Sequence, residues 1–124
     1  MFEVSVQGSF SAAHRLRGYK GRCENMHGHN WKVQITIAAK RLNSQGMVID
    51  FSRLKSCLNK ILMHLDHKVL NNTQYFRKVN PTSENIARYI YDKLNIALGA
   101  LNFKQLVVTV WETDTSFAAY SETR

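Results

Sequence analysis

Three histidines and a cysteine have the types and spacing of one reactive site. His27 and His29 are separated by a single glycine and lead into the alternating apolar segment 31–37. Strand side chains point to the same face at every second residue, so if strand pairing reaches back to His27, both imidazoles share the apolar face of that strand. His14 ends another alternating segment, residues 10–14, with the parity of its apolar positions. Three neutral imidazoles are a common ligand set for catalytic Zn²⁺, so the pattern predicts a zinc site.

Two cysteines have different surroundings in the sequence. Cys23 follows a loop rich in Arg, Lys and Gly. Positive neighbours lower the pKa of a thiol and favour the reactive thiolate, so Cys23 is a candidate base or nucleophile, with an incidental loop cysteine as the alternative. Cys57 falls on the apolar stripe of a predicted helix and is expected to be a small core residue.

Two carboxylates also have the context of functional groups. Asp66 directly precedes His67, and a carboxylate that fixes a histidine's tautomer favours proton relay. The alternative for this pair is a solvated helix end. Glu112 continues the inward parity of a late apolar strand, where a carboxylate is costly unless it is paired. It is predicted to bind a ligand with two adjacent N–H groups, such as an amino-pyrimidinone edge; a strand end facing solvent is the alternative.

Length and composition indicate a single domain spanning residues 1–124. The chain has 44% hydrophobic residues, and no segment approaches the roughly 20 apolar residues needed to span a bilayer. The N-terminus lacks the basic and apolar pattern of a secretory signal. Two cysteines are too few for a disulfide scaffold, so we expect a reduced, cytoplasmic protein with no membrane partner.

The formal net charge of +8 allows a nucleic acid, an anionic small substrate or a solvated basic surface. Arg15, Arg17, Lys20 and Arg22 crowd together just before the candidate site. That position favours a phosphate-bearing substrate, because Arg and Lys bind phosphate well. A nucleic-acid surface more often interleaves several aromatics with the basic residues, and here only Tyr19 does so. We therefore expect no nucleic-acid partner.

The elements that must position these residues follow from periodicity. Residues 2–14 alternate as one long strand, and residues 31–39 form a second strand whose parity extends back to His27. An amphipathic helix follows the N-cap Asp50, with its stripe over 54–65, and a second helix runs from the N-cap Thr82 to Gly99. Residues 103–112 and 117–120 return to strand character. The order strand, strand, helix, helix, strand, strand predicts an α+β fold with a four-stranded antiparallel sheet and both helices on one face.

Six segments together resemble the 6-pyruvoyltetrahydropterin synthase and 6-carboxytetrahydropterin synthase family. They span nearly the whole chain in the family's order, at residues 10–14, 23–29, 46–51, 65–68, 81–85 and 112–113. The resemblance implies the tunnelling fold, in which each subunit gives a four-stranded antiparallel sheet and two helices. Three subunits would close a barrel, two trimers could stack, and the active sites would lie between subunits.

The resemblance also implies a role for each candidate residue. The three histidines would bind Zn²⁺, the cysteine would be the general base or proton donor, the Asp–His pair would be the relay, and Glu112 would hold the pterin ring. A Thr–Ser pair would line the pterin pocket, and by charge the basic loop would bind triphosphate. The residues are His14, His27 and His29 for the metal; Cys23, Asp66, His67 and Glu112 for catalysis; and Glu112, Thr82, Ser83, Arg15 and Arg17 for substrate.

The implied substrate is 7,8-dihydroneopterin triphosphate. Three residues separate Cys23 from His27, and this short spacing resembles the branch that forms 6-carboxy-5,6,7,8-tetrahydropterin, acetaldehyde and triphosphate on the route to queuosine and other 7-deazapurines. A pyruvoyl-forming enzyme or another side-chain lyase is the alternative, which Glu24 beside Cys23 keeps open. A non-enzymatic pterin- or zinc-binding module is the second alternative. An imidazole site could also take Cu²⁺, Ni²⁺ or Fe²⁺.

Overall fold

A computed structural model of the protein describes residues 1–21 and 24–124. It places five strands and two α-helices around one layer of apolar side chains. A 3₁₀-helix, Leu70–Asn72, follows the third strand. The strands and helices are β1 (Phe2–His14), β2 (His27–Ala39), α1 (Phe51–Leu62), β3 (Lys68–Val69), α2 (Ser83–Leu98), β4 (Gln105–Thr113) and β5 (Ser116–Thr123).

The sheet has the order β3-β1-β2-β4-β5 and is antiparallel except where β3 runs parallel to β1. The predicted α+β class and the antiparallel arrangement of the four long strands are confirmed. The predicted number of strands, four, is wrong: the sheet has five. The additional strand is β3, which lies between the two helices in sequence. This strand has two residues, too few to show a period-two pattern. It forms because the backbone N–H of His67 donates to the carbonyl of Ser11, which brings the chain alongside β1.

Both helices pack on one face of the sheet, where the alternating side chains of β1, β2 and β4 are buried. The predicted N-caps are confirmed, since the side chains of Asp50 and Thr82 accept hydrogen bonds from the first turns of α1 and α2. Helix α1 ends at Leu62, so Leu65 of the predicted stripe packs into the core from the turn beyond it. Within the described residues, neither helix combines the length and apolarity needed to cross a membrane.

Gly8 lets α1 approach the middle of β1 closely. A Cβ at this position would come within 2.9 Å of the Leu62 Cδ1 atom, which is closer than carbon atoms pack. The strand continues through this glycine to His14. The close packing of α1 therefore supports a single 13-residue strand that delivers the imidazole of His14 to one end of the sheet.

Candidate metal centre and active site

The three predicted histidines converge at the end of the sheet where β1 stops and β2 begins. His14 lies directly opposite His27 in the β1–β2 register, and His29 follows two residues along β2 on the same face. The ring centroids are 4.5 Å apart for His14 and His27, 4.8 Å for His27 and His29, and 5.5 Å for His14 and His29. Strand pairing alone therefore brings together residues that a 12-residue loop separates in sequence.

Glu112 joins this group from β4, at a position where the register of β4 and β5 shifts between Trp111 and Thr113. Its Oε1 atom is 3.1 Å from the Nε2 of His14, 3.0 Å from that of His29 and 3.8 Å from that of His27. A bulge re-aims a strand side chain, and bulges are enriched beside active sites. The structure thus places in one cluster four side chains able to ligate a metal.

The backbone fixes the tautomers of two of these histidines. The Nδ1 atoms of His14 and His27 lie 2.7 Å from the carbonyl oxygens of Pro81 and Asn25. A carbonyl only accepts hydrogen bonds, so each Nδ1 must carry a proton and donate it. In a neutral imidazole the lone pair is then on Nε2, the atom that faces the cluster. Metal-bound histidines are oriented by this kind of outer contact.

The Nε2 atom of the third imidazole, His29, also faces the Glu112 carboxylate. The Nε2 atom of His29 is buried and has no hydrogen-bond partner among the described residues, since its 3.0 Å contact with Glu112 lacks hydrogen-bond geometry. Burial lowers the pKa of His29 below its ordinary value of 6.5; the Glu112 carboxylate opposes this effect, and the neighbouring His27 and His14 add to it. His29 therefore favours its neutral, metal-binding form. Inward lone pairs with an adjacent carboxylate are the donor set of a divalent cation site.

The core supports the imidazoles of His14 and His29. His14 is only 1% exposed, and its ring meets the fully buried Trp31 edge-on at 4.9 Å. The indole of Trp31 also contacts His29 at 5.3 Å, stacks with Phe10 and donates a hydrogen bond to the carbonyl of Ala12. The metal end of the site is thus an extension of the hydrophobic core.

The predicted relay pair also forms, at the edge of the sheet. The Nδ1 of His67 is 2.9 Å from Oδ2 of Asp66, and the other carboxylate oxygen accepts the N–H of Ser11 at 2.8 Å. That N–H bond is the main reason why the pKa of Asp66 lies below its ordinary value, and His67 adds to the effect. The His67 side chain is 83% exposed, and its backbone has the left-handed φ of 56°. It is not part of the metal cluster of its own chain.

The predicted pocket residues lie at the start of α2, beside one histidine contact. Thr82 accepts the N–H of Asn85 as the helix N-cap, and Ser83 is the first residue of the helix. The preceding residue, Pro81, supplies the carbonyl that binds His14. Thr82 and Ser83 are therefore within two residues of the metal cluster's outer contact.

The two described arginines of the basic loop have different surroundings. The side chain of Arg15 is exposed. The guanidinium of Arg17 donates to the carbonyls of Phe76, Val79 and Asn71, so it holds the loop 71–79 in place. Arg22 and Cys23 lie outside the described residues.

Two asparagines that the sequence analysis did not identify bind the backbone of the basic loop. The amide of Asn71 accepts from the backbone N–H of Arg15 and donates to its carbonyl, and Asn80 does the same for Arg17. Each amide replaces a missing strand partner. Both asparagines lie in a segment without periodicity, where the sequence has no signal that separates a clamp from a polar loop residue.

Comparison with known proteins identifies the family of this chain. The family model described as 6-pyruvoyl tetrahydropterin synthase matches residues 3–123. The chain belongs to this family of pterin synthases. It is 39% identical to the 6-carboxy-5,6,7,8-tetrahydropterin synthase of Synechocystis, over 100% of this chain and 96% of that protein. It is 37% identical to the human 6-pyruvoyl tetrahydrobiopterin synthase, over 95% and 90%.

A solved structure confirms the tunnelling fold. The Caenorhabditis elegans 6-pyruvoyl tetrahydropterin synthase superposes with a TM-score of 0.85 at 28% identity, covering 98% of this chain and 96% of that one.

Proposed function

We propose that this protein is a zinc-dependent 6-carboxy-5,6,7,8-tetrahydropterin synthase. It would convert 7,8-dihydroneopterin triphosphate and one water into 6-carboxytetrahydropterin, acetaldehyde and triphosphate. The observation that carries the proposal is the convergence of the inward nitrogens of His14, His27 and His29, in a chain that belongs to the pterin synthase family. A single synthase domain over residues 1–124, a cytoplasmic location and a role in queuosine synthesis are parts of the same proposal.

The donor set supports zinc as the ion. Three neutral imidazoles in a partly buried cluster suit a borderline-soft cation. When bound, Zn²⁺ would polarise the side-chain hydroxyls of the substrate and acidify their neighbouring protons. Its holders would be His14, His27 and His29.

The chain's other residues would move protons and hold the substrate. Cys23 would take a proton from the substrate side chain as a thiolate, favoured by its basic neighbours. Asp66 would keep the Nδ1 proton on His67, so that the exposed Nε2 can exchange protons with that thiol. Thr82 and Ser83 would line the ring pocket, and the exposed Arg15 would contact the triphosphate, while Arg17 positions the loop.

The sheet edges support a site shared between subunits. Among the described residues, β3 pairs with Ala12 and Ala13, and the Asp66–His67 turn binds the backbone of Ser11. Residues 2–10 therefore leave a free edge that another strand can extend. β5 is the other edge and runs opposite to β1. If β5 of a neighbouring subunit extended the free edge of β1, the first residues of that β5 would lie at the end of β1 that is beside His67. The relay of one subunit would then face the metal end of the next, and three copies would close a barrel without exposed edges.

The carboxy-forming branch is favoured over the pyruvoyl-forming one by the three-residue spacing between Cys23 and His27. The relatives that bear the carboxy name and cover this chain from end to end are consistent with it. Identity alone does not separate the branches, because the human pyruvoyl enzyme is nearly as similar.

The test is to measure two products from one reaction. Zinc-loaded protein is incubated with 7,8-dihydroneopterin triphosphate, and acetaldehyde and triphosphate are quantified while the pterin is identified by mass spectrometry. The carboxy branch gives equal amounts of aldehyde and triphosphate. Triphosphate without aldehyde would assign the protein to the pyruvoyl branch. A shortened pterin without free triphosphate would assign it to another side-chain lyase, and unchanged substrate would leave only a binding module.

Two thiol variants control this experiment. Cys23→Ala should retain zinc and lose roughly 10²- to 10⁴-fold in turnover, the usual contribution of a positioned base. Cys57→Ala, which changes a half-buried residue packed against the core, should keep turnover. If the Cys23 variant is purified without zinc, the thiol is a ligand and its proposed role fails.

A further inference from the structure

We propose that the Glu112 carboxylate is the fourth ligand of the metal centre, which closes the site in the resting protein and leaves when the substrate's side-chain hydroxyls arrive. The inference rests on the proposed metal site and differs from the ring-holding role that the sequence predicts for Glu112.

The first support is the spacing of the donor atoms. Bonds of about 2.0–2.2 Å in a tetrahedral zinc site place ligand atoms roughly 3.3–3.5 Å from one another. The Oε1 atom of Glu112 lies 3.0, 3.1 and 3.8 Å from the three Nε2 atoms. These distances bracket the tetrahedral value. A carboxylate directed at a remote partner would not lie within 3.8 Å of the Nε2 atoms of all three imidazoles.

The second support is the position of the protons on the imidazole rings. His14 and His27 donate their Nδ1 protons to backbone carbonyls, so their Nε2 lone pairs face Glu112. An ionised carboxylate has acceptor oxygens only. Lone pairs that face an anion at these distances repel one another unless a cation or a proton lies between them. A divalent cation between these atoms removes the repulsion in all three contacts, whereas a single proton removes it in only one.

The third support is the way the chain delivers this side chain. Glu112 is the extra residue at the β4–β5 register shift, which directs it toward the imidazoles. Among the described residues, the polar contacts of its carboxylate are with these imidazoles. Its side chain is 29% exposed, as is that of His27 at 28%, but the imidazole of His27 is also held by the carbonyl of Asn25. The carboxylate is therefore the exposed member of the cluster that can swing away without breaking a backbone contact.

The shape of the substrate makes the two roles of Glu112 exclusive. The amino-pyrimidinone edge and the side chain at C6 are at opposite ends of the bicyclic ring. A carboxylate in contact with the metal-binding imidazoles is at the side-chain end, so it cannot also bind the far edge in the same complex. Catalytic zinc sites keep one position for substrate, and here Glu112 would hold that position until substrate enters.

Metal binding tests the first half of the proposal without any reaction. Zinc affinity is measured by competition with a chromophoric chelator, and the visible spectrum of the Co²⁺-substituted protein reports the ligand set. Loss of a residue that only contacts a ligand costs roughly 10- to 100-fold in metal affinity. We expect Glu112→Gln, which removes a ligand, to weaken zinc binding by at least this factor and to change the cobalt spectrum. Glu3→Gln removes an exposed carboxylate at the other end of β1 and should change neither.

Binding of neopterin, which carries the side-chain hydroxyls, tests the second half. It should alter the cobalt spectrum of the wild-type protein and bind Glu112→Gln at least as tightly, because no charged ligand has to be displaced. The ring-holding role predicts the opposite sign: weaker neopterin binding with zinc affinity unchanged, and that pair of results would overturn the inference. A wild-type protein that binds no zinc would overturn the proposed function as well, which separates the two failures.

Discussion

The two halves of the candidate site are built in opposite ways. The imidazoles of His14 and His29 are supported by two fully paired 13-residue strands and by the buried indole of Trp31. The relay pair, Asp66 and His67, lies on a turn at the sheet edge, with the His67 ring almost wholly in solvent. The metal half is thus complete within one chain, whereas the relay half presents its reactive nitrogen outward.

This difference indicates which half depends on assembly. A metal site needs ligand atoms held in place before the ion binds, and core packing provides this within one chain. Among the described residues of its own subunit, the polar contact of the solvent-facing His67 ring is with Asp66. The left-handed backbone conformation of His67, unfavourable for a residue with a Cβ, is held by the Ser11 contacts. Strain of this kind is concentrated at functional sites, which fits a side chain that is aimed at a neighbour.

Loss of one imidazole should have the largest effect. His27→Ala removes a ligand from the metal half, so we expect the purified protein to contain almost no zinc and to have no measurable turnover, while the β-rich circular dichroism spectrum is retained. Metal analysis after dialysis measures this. His64→Ala is the matched control, because His64 is exposed and outside the cluster. Full zinc occupancy in the His27 variant would show that the other ligands suffice without this imidazole.

Mixing two inactive variants tests whether the halves come from different subunits. His27→Ala lacks the metal half and His67→Ala lacks the relay half. If unfolded subunits are mixed in equal amounts and refolded together, random assembly into a symmetric ring should restore about a quarter of the wild-type activity. Activity assays of the mixture, with each variant refolded alone as the control, measure the recovery. A mixture as inactive as its components would place both halves in one chain.

Replacement of His67 by glycine should separate function from stability. Glycine adopts left-handed backbone at little cost, so His67→Gly should be more stable than His67→Ala by about 1 kcal/mol, although both lose the relay. Urea unfolding at one protein concentration measures the difference. Equal stabilities would mean that the turn relaxes when the imidazole is removed.

Strand parity predicted that the three imidazoles share one face of the sheet, because this arrangement depends on local rules. The even spacing of His27 and His29 and the inward parity of His14 fix the face, and antiparallel pairing of β1 with β2 fixes the rest. The N-caps Asp50 and Thr82 were readable for the same reason, since each acts on its own first turn.

The parts of the fold and site that the sequence did not predict depend on contacts that no local pattern encodes. Glu112 meets His14 across 98 residues, and its direction comes from a bulge that parity does not reveal. The strand β3 exists only because the backbone beside His67 pairs with β1. The hydrogen bonds of Arg17 to three carbonyls could not be predicted either, because charge alone does not show what a guanidinium contacts.

The smallest expected effect concerns the pH dependence of stability at the relay half. The pKa of Asp66 lies below its ordinary value of 3.8, chiefly because of the Ser11 N–H, so on acidification the unfolded chain takes up this proton first. The ionised carboxylate therefore stabilises the fold above the unfolded value, and that contribution is lost as pH falls through the folded-state pKa. Asp66→Asn lacks this dependence, so urea midpoints of metal-free wild-type and variant protein should converge between about pH 6 and about pH 3. Asp114→Asn, in the exposed β4–β5 turn, is the control and should run parallel to the wild type. If the Asp66 variant also runs parallel, the Ser11 contact holds the relay turn no more tightly when the carboxylate is ionised.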